Sequence, residues 1–178
     1  RNAVLFFYGL LMVFFFFLQR AFSLNDELMA YDTVLLPFAL GAMLFIVLAL
    51  LLRLVFPHLA REAESAWYML REPVSIARWH RAKLLLAGGI ALDVILIAGI
   101  GWGLLPIVWE WRGVLIALSL LGIGALTALT AVLGLLEHDW EAGRDPGSVS
   151  TSLIGLLTLL AGLATTGVLV GTFALMLL

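Results

Sequence analysis

Residues 34–56 read VLLPFALGAMLFIVLALLLRLVF, and this stretch decides the fold because no charged residue interrupts it before Arg53. A helix needs about 20 apolar residues to cross a bilayer, so the stretch is long enough to span one. Its uninterrupted Leu, Phe and Ala do not show the alternation of a membrane-spanning strand. The stretch therefore predicts a transmembrane helix.

The composition of the whole chain agrees with that prediction. Of 178 residues, 63% are hydrophobic and 12% are charged, where a soluble domain has about 25% charged residues. A soluble core of this length could not bury so much apolar surface. The net charge of −2 gives no indication of a nucleic-acid partner. The chain has no cysteine, which excludes disulfides and thiolate metal sites.

Four further segments are apolar over a comparable length: 3–18, 84–105, 114–136 and 153–178. The five spans together predict an all-α, polytopic transmembrane bundle that forms a single domain over residues 1–178. Because the chain opens at Arg1 and stops inside an apolar run, we expect it to be part of a longer polypeptide.

Basic residues are concentrated around the connection between the second and third spans. Six of the ten Lys and Arg residues lie between residues 53 and 83: Arg53, Arg61, Arg71, Arg78, Arg81 and Lys83. Cytoplasmic loops are enriched in basic residues, so we expect the loop 57–83 to be cytoplasmic. Five crossings then place the N-terminus of this stretch, Arg1, in the cytoplasm as well, with Arg144, and leave Arg20 and Arg112 outside.

The loop 57–83 is too polar to span and too long for a turn. Residues 61–70 contain no Pro or Gly, and their apolar side chains recur at helical spacing, so they predict an amphipathic cytoplasmic helix. Pro73 ends that helix. Such a helix either lies on anionic lipid headgroups or docks a soluble partner, and the pattern alone leaves both readings open.

Several motifs in this region resemble those of a known family. Pro57, Glu64, residues 66–71 (AWYMLR), residues 73–75 (PVS) and the basic run 78–83 are similar to the cytoplasmic loop of ABC-2-type exporter permeases. A second match follows in residues 139–152, where DWE precedes Pro146 and a run of Ser and Thr. The resemblance covers roughly residues 54–152.

The resemblance implies a transmembrane permease subunit of an ATP-driven exporter in the bacterial inner membrane. It implies that a cytoplasmic ATPase contacts the loop helix at Glu64, Trp67, Leu70, Arg71 and Pro73. The ATPase would be a separate polypeptide, because no G-x-x-x-x-G-K-[ST] occurs in this chain, so we expect no enzyme activity and no cofactor here. The alternative is a structural integral subunit of a larger membrane complex, and an intramembrane enzyme ranks last because no catalytic motif is present.

Asp93 is the one acidic residue deep within a predicted span. An ionisable group there is costly unless it is paired, protonated or wet. It would serve either as a contact for a proton or a substrate cation, or as a hydrogen-bonded carboxyl that locks helices together. The candidate donors on the last two spans are hydroxyls: Thr127, Thr130, Thr158, Thr165 and Thr166.

Two glycine pairs, Gly99 with Gly103 and Gly167 with Gly171, have the spacing that lets membrane helices approach closely. We expect them to pack helices, either within the chain or between copies or partners. His138 lies beside two acidic residues, but no second His follows at ligand spacing, so we expect no metal site.

Overall fold

A computed structural model describes residues 2–24, 32–60, 76–136 and 152–177. Every regular element in these ranges is helical: α1 (Asn2–Leu24), α2 (Asp32–Leu50), α3 (Phe56–Ala60), α4 (Ile76–Leu104), α5 (Trp109–Leu136) and α6 (Leu153–Leu177). A π-helical turn, Leu51–Val55, joins α2 to α3. Five stretches in these ranges are long and apolar enough to cross a membrane: Ala3–Ser23, Val34–Leu59, Arg81–Leu104, Trp109–Leu136 and Leu153–Leu177. The prediction of a helical chain with five apolar spans is confirmed.

The helices α1, α4 and α5 are longer than the apolar segments that predicted them. α1 continues past Leu18 to Leu24, since Gln19, Arg20 and Ser23 place no Pro or Gly in the way. α5 begins at Trp109 and not at 114, with Glu110 in its first turn, where the helix dipole favours a negative charge. The predicted amphipathic helix at 61–70 lies outside the described residues.

Pro57 explains the π-helical turn. Proline has no N–H, so it cannot donate to the carbonyl of Arg53 four residues earlier. The helical turn just before Pro57 is wider than an α-helical turn, and in it the N–H of Phe56 donates to the carbonyl of Leu51, five residues back. The helix axis therefore continues from α2 through α3 instead of breaking at the proline.

α2 forms the centre of the bundle. α1, α5 and α6 pack against it, while α4 packs against α1 and α5. Eight apolar side chains of α2 are at most 1% exposed: Leu36, Ala39, Leu40, Met43, Leu44, Val47, Leu48 and Leu50. In the most apolar 18 residues of the span Val34–Leu59, 56% of the residues are buried inside the bundle. The corresponding share for the span Ala3–Ser23 is 11%, so α1 is the least buried of the five spans.

α1 and α4 run in the same direction. Tyr8 contacts Asp93 near the start of α1, and Phe15 packs edge-on against Trp102 further along, with ring centroids 5.3 Å apart. α2 and α6 run in opposite directions, since Gly41 faces Val170 whereas Gly162 faces Leu48. Both relations are those of a chain that alternates direction at each of five crossings.

A short turn, residues 105–108, connects α4 to α5. Arg112 donates from Nη2 to the carbonyl oxygens of Leu105 (2.9 Å) and Ile107 (3.1 Å). Both carbonyl groups belong to the turn, where they have no hydrogen-bond donor from a helix backbone. The guanidinium group of Arg112, on α5, therefore supplies the hydrogen bonds that these two carbonyls need. It also holds the start of α5 against the turn that follows α4.

Candidate functional site

Asp93 lies at the middle of its span. At 1.5 Å per residue it is about 18 Å along the helix axis from Arg81 and about 17 Å from Leu104. The phenol of Tyr8, on α1, donates to Oδ2 of Asp93 at 2.9 Å. The carboxyl group thus links the first and third spans at mid-membrane depth.

The sequence suggested other donors for this carboxyl, and that suggestion was wrong. Thr127, Thr130, Thr158 and Thr165 each donate to the carbonyl four residues earlier in their own helix. Thr166 Oγ1 is buried and has no hydrogen bond in the described ranges. Tyr8 carries the only phenol or alcohol hydroxyl in the segment 3–18, a signal the sequence did offer.

Asp93 is exposed on the outside of the bundle and does not face its interior. Leu92, Leu96 and Ile100 beside it are also exposed, so the surrounding surface is apolar. An ionised carboxylate at this depth costs about 2.5–3.5 kcal/mol on insertion scales, and one hydrogen bond to a charged group returns about 1.5–3 kcal/mol. The phenol alone therefore offsets between about half and all of that cost.

A cleft of about 290 Å³ runs along the outer face of α1 and α4, next to this pair. Its walls are apolar except at Gln19: Met12, Phe15, Phe16, Ile97, Ile100 and Leu104 line it. At Gly101 the Phe15 ring occupies the space that a side chain would take, so α1 and α4 approach each other closely beside the cleft. The cleft is a surface groove and offers no group that could act as a nucleophile or general base.

A buried polar contact joins three helices deeper in the bundle. Trp102 of α4 donates from Nε1 to Oγ of Ser119 on α5 at 2.8 Å, and that hydroxyl lies 3.8 Å from Sδ of Met43 on α2. Trp102 and Ser119 are both buried. The contact gives the buried indole N–H its hydrogen-bond acceptor, so we interpret it as a structural contact that holds the helices together.

The ends of α3 and α4 meet at one end of the bundle. Lys83 is only 4% exposed, and its Nζ donates to the carbonyl oxygen of Leu59 at 2.9 Å. A cation at this carbonyl suits the negative end of the helix dipole. The sequence had counted Lys83 as one basic residue of a loop, and its burial was not expected.

The residues that the family resemblance assigns to ATPase contact lie outside the described ranges. They are Glu64, Trp67, Leu70, Arg71 and Pro73. The two helices that flank them, α3 and α4, are described, and Arg78 and Arg81 of α4 are exposed. Among the described residues no group of three or more His, Cys, Asp and Glu side chains could hold a metal ion.

Comparison with models of known protein families, with curated proteins and with solved structures found no match to this chain. The arrangement of its own residues therefore carries the functional argument. That arrangement has two unusual places, the exposed Asp93–Tyr8 pair at mid-membrane depth and the buried Lys83–Leu59 contact at the end of the bundle.

Proposed function

We propose that this chain is the transmembrane permease subunit of an ATP-driven exporter, driven through its segment 61–75 by a separate cytoplasmic ATPase. The observation that supports this most directly is the contact between Lys83 Nζ and the Leu59 carbonyl oxygen. It joins the last turn before the segment to the first turns after it. A partner bound to that segment would then act on two helices at once.

The packing around Leu59 extends this effect to a third helix. Gly134 of α5 lies against Leu59 and Phe56, and a Cβ atom at Gly134 would be 3.1 Å from Leu59 Cβ. α3 and α5 are thus in close contact beside the Lys83 bond. Packed interiors transmit displacement because they have little free volume. A force on the segment 61–75 would therefore move α3, α4 and α5 together.

The sequence supplies the rest of the proposal. The motifs between residues 54 and 152 resemble ABC-2-type exporter permeases, and this resemblance supports a bacterial inner membrane as the location. The basic residues support a cytoplasmic position for residues 57–83. In this account Glu64, Trp67, Leu70, Arg71 and Pro73 contact the ATPase, and ATP hydrolysis belongs to the ATPase alone. The lipid bilayer is the other partner.

The test is association with the ATPase in native membranes solubilised in a mild detergent. We expect Trp67→Asp to abolish co-purification of a P-loop ATPase while the protein still inserts, because a charge replaces an apolar contact. The matched control is Trp109→Asp, at a tryptophan that is 78% exposed at the opposite end of the bundle. Unchanged co-purification of the ATPase with Trp67→Asp would refute the proposal.

The alternative, a structural integral subunit of a larger membrane complex, is favoured by one observation. α1 is little buried by the rest of the chain, and it carries half of the exposed Asp93–Tyr8 pair. This alternative predicts stable association with other integral subunits that does not change when ATP is removed. The permease proposal predicts a nucleotide-dependent partner.

A further inference from the structure

We infer that the exposed face of α4 around Asp93 binds a transmembrane helix of another polypeptide, and that this helix places a Lys or Arg at mid-membrane depth. The inference goes beyond the proposed function and holds equally for the structural alternative. It rests on the position of one carboxyl group, on the charges of this chain and on the shape of the surface beside that group.

The face is defined by Gly89, Asp93, Leu96 and Ile100, which recur at the i, i+4, i+7 and i+11 positions of one helix stripe. Leu96 is 54% and Ile100 is 63% exposed, and Asp93 between them is exposed as well. An apolar stripe of this kind suits lipid, but a carboxylate within it does not. Lipid therefore covers this stripe unfavourably at the depth of Asp93.

Tyr8 leaves the carboxyl group incompletely satisfied. Its hydroxyl donates to Oδ2 alone, whereas an ionised carboxylate offers about four acceptor positions on its two oxygens. Oδ1 receives no hydrogen bond from the described residues. A cation from outside the chain could reach Oδ1 without displacing Tyr8, and it would neutralise the charge as well as donate to it.

A second copy of this chain does not bring such a cation to this depth. The basic side chains of the described spans lie near the span ends: Arg20 and Arg112 at one end, and Arg53, Arg81 and Lys83 at the other. Two copies packed through this face would bring Asp93 against Asp93, and like charges repel in a low dielectric. Charge complementarity therefore favours a different helix, with its basic residue at the centre.

The surface has the shape that a helix needs. A Cβ atom at Gly89 would have nothing within 4 Å, so a partner backbone can approach closely one turn below Asp93. Above Asp93 the cleft between α1 and α4 runs from Ile97 to Leu104, about 10 Å along the helix axis, which is about a third of the thickness of the hydrocarbon core. Because Asp93 is at the centre of its span, a central basic residue meets it in either orientation of the partner.

The test uses synthetic helices in place of the unknown partner. The full chain, labelled at an introduced Ser23→Cys, is reconstituted in liposomes with a labelled peptide of about 21 residues that is Leu-rich and has one central Lys. Energy transfer between the labels reports association. We expect the central-Lys peptide to bind about tenfold more tightly than the all-Leu peptide, as an added charge pair in hydrocarbon allows.

Three controls decide the interpretation. Asp93→Asn keeps the size and polarity of the side chain but removes its charge, and it should reduce the preference for Lys to less than about twofold. A peptide with its Lys near one end, and a peptide with a central Glu, should bind no better than all-Leu. Thermal unfolding confirms that the variant is folded.

Three results would overturn the inference. The first is equal binding of the Lys and all-Leu peptides, and the second is a Lys preference that persists in a folded Asp93→Asn variant. The third is energy transfer between two labelled copies of the chain that requires Asp93, which would make a second copy the occupant. None of these results bears on ATPase association through residues 61–75, so the two proposals fail independently.

Discussion

Trp102 of α4 connects several helices of the bundle through its side chain. Its ring packs edge-on against Phe15 of α1, its N–H binds Ser119 of α5, and Ser119 in turn contacts Met43 of α2. The indole is fully buried and large, so both its volume and its one hydrogen bond matter. We expect this residue to contribute more to stability than any other tryptophan in the described part of the chain.

Trp102→Phe should lower the free energy of unfolding in detergent by about 1–3 kcal/mol. The change removes the bond to Ser119 and leaves space where the indole was, and both effects destabilise. The bond itself should account for about 0.6 kcal/mol of this, the mean for such contacts in a membrane protein, in a double-mutant cycle with Ser119→Ala.

The matched control for this change is Trp109→Phe. Trp109 is 78% exposed, so the same substitution there should shift the free energy of unfolding by less than about 0.5 kcal/mol. Equal effects at the two positions would mean that neither the bond to Ser119 nor the packing of the buried indole stabilises the bundle.

At the scale of elements, α1 is the helix whose attachment depends on the fewest contacts. It rests on α4 through Phe15, whose ring lies over Gly101. A Cβ atom at Gly101 would come within 2.5 Å of the Cγ atom of that ring, and Cγ is the base of the ring and not a flexible end. The lack of a side chain at Gly101 is thus a requirement for α1 to dock.

Gly101→Ala should therefore destabilise the chain by about 1–3 kcal/mol, the usual cost of overpacking. Gly103→Ala, two residues away, should be neutral or stabilise by up to about 1 kcal/mol, because its Cβ would have nothing within 4 Å and alanine favours the helix. Chemical unfolding in detergent measures both. A Gly101→Ala variant as stable as Gly103→Ala would show that α1 is not held at this position.

The glycines also show where prediction from the sequence ended. The pairs Gly99–Gly103 and Gly167–Gly171 have the expected spacing, yet none of the four packs against another helix in the described part of the chain. Gly101, Gly122 and Gly162 make the close contacts instead, against Phe15, Leu44 and Leu48. The spacing of the glycines predicts which residues share one face of a helix. It does not predict which helix packs against that face, because this depends on how the helices are arranged around α2. Association of these faces with other chains stays a prediction.

At the scale of the whole molecule, hydropathy was sufficient for the number and approximate position of the spans. Apolar length alone predicts a crossing, so five spans could be read directly from the sequence. The Asp93–Tyr8 pair could not be, since it requires α1 to lie beside α4, with 85 residues between the two side chains. Lys83 was also unforeseen, because a basic residue before a span normally points to the headgroups.

The central claim is a five-span bundle whose ends alternate between the two sides of the membrane, with the basic loop in the cytoplasm. The native chain has no cysteine, so an introduced cysteine is the only thiol of the chain that a labelling reagent can modify. The positions are Ser23, Arg78, Trp109 and Leu153, all exposed and each near the end of a helix.

The measurement is labelling by a membrane-impermeant maleimide in right-side-out membrane vesicles, before and after the vesicles are opened. We predict that Ser23→Cys and Trp109→Cys are labelled in closed vesicles, and that Arg78→Cys and Leu153→Cys are labelled only after opening. Labelling of Ser23→Cys and Arg78→Cys from the same side would contradict the account.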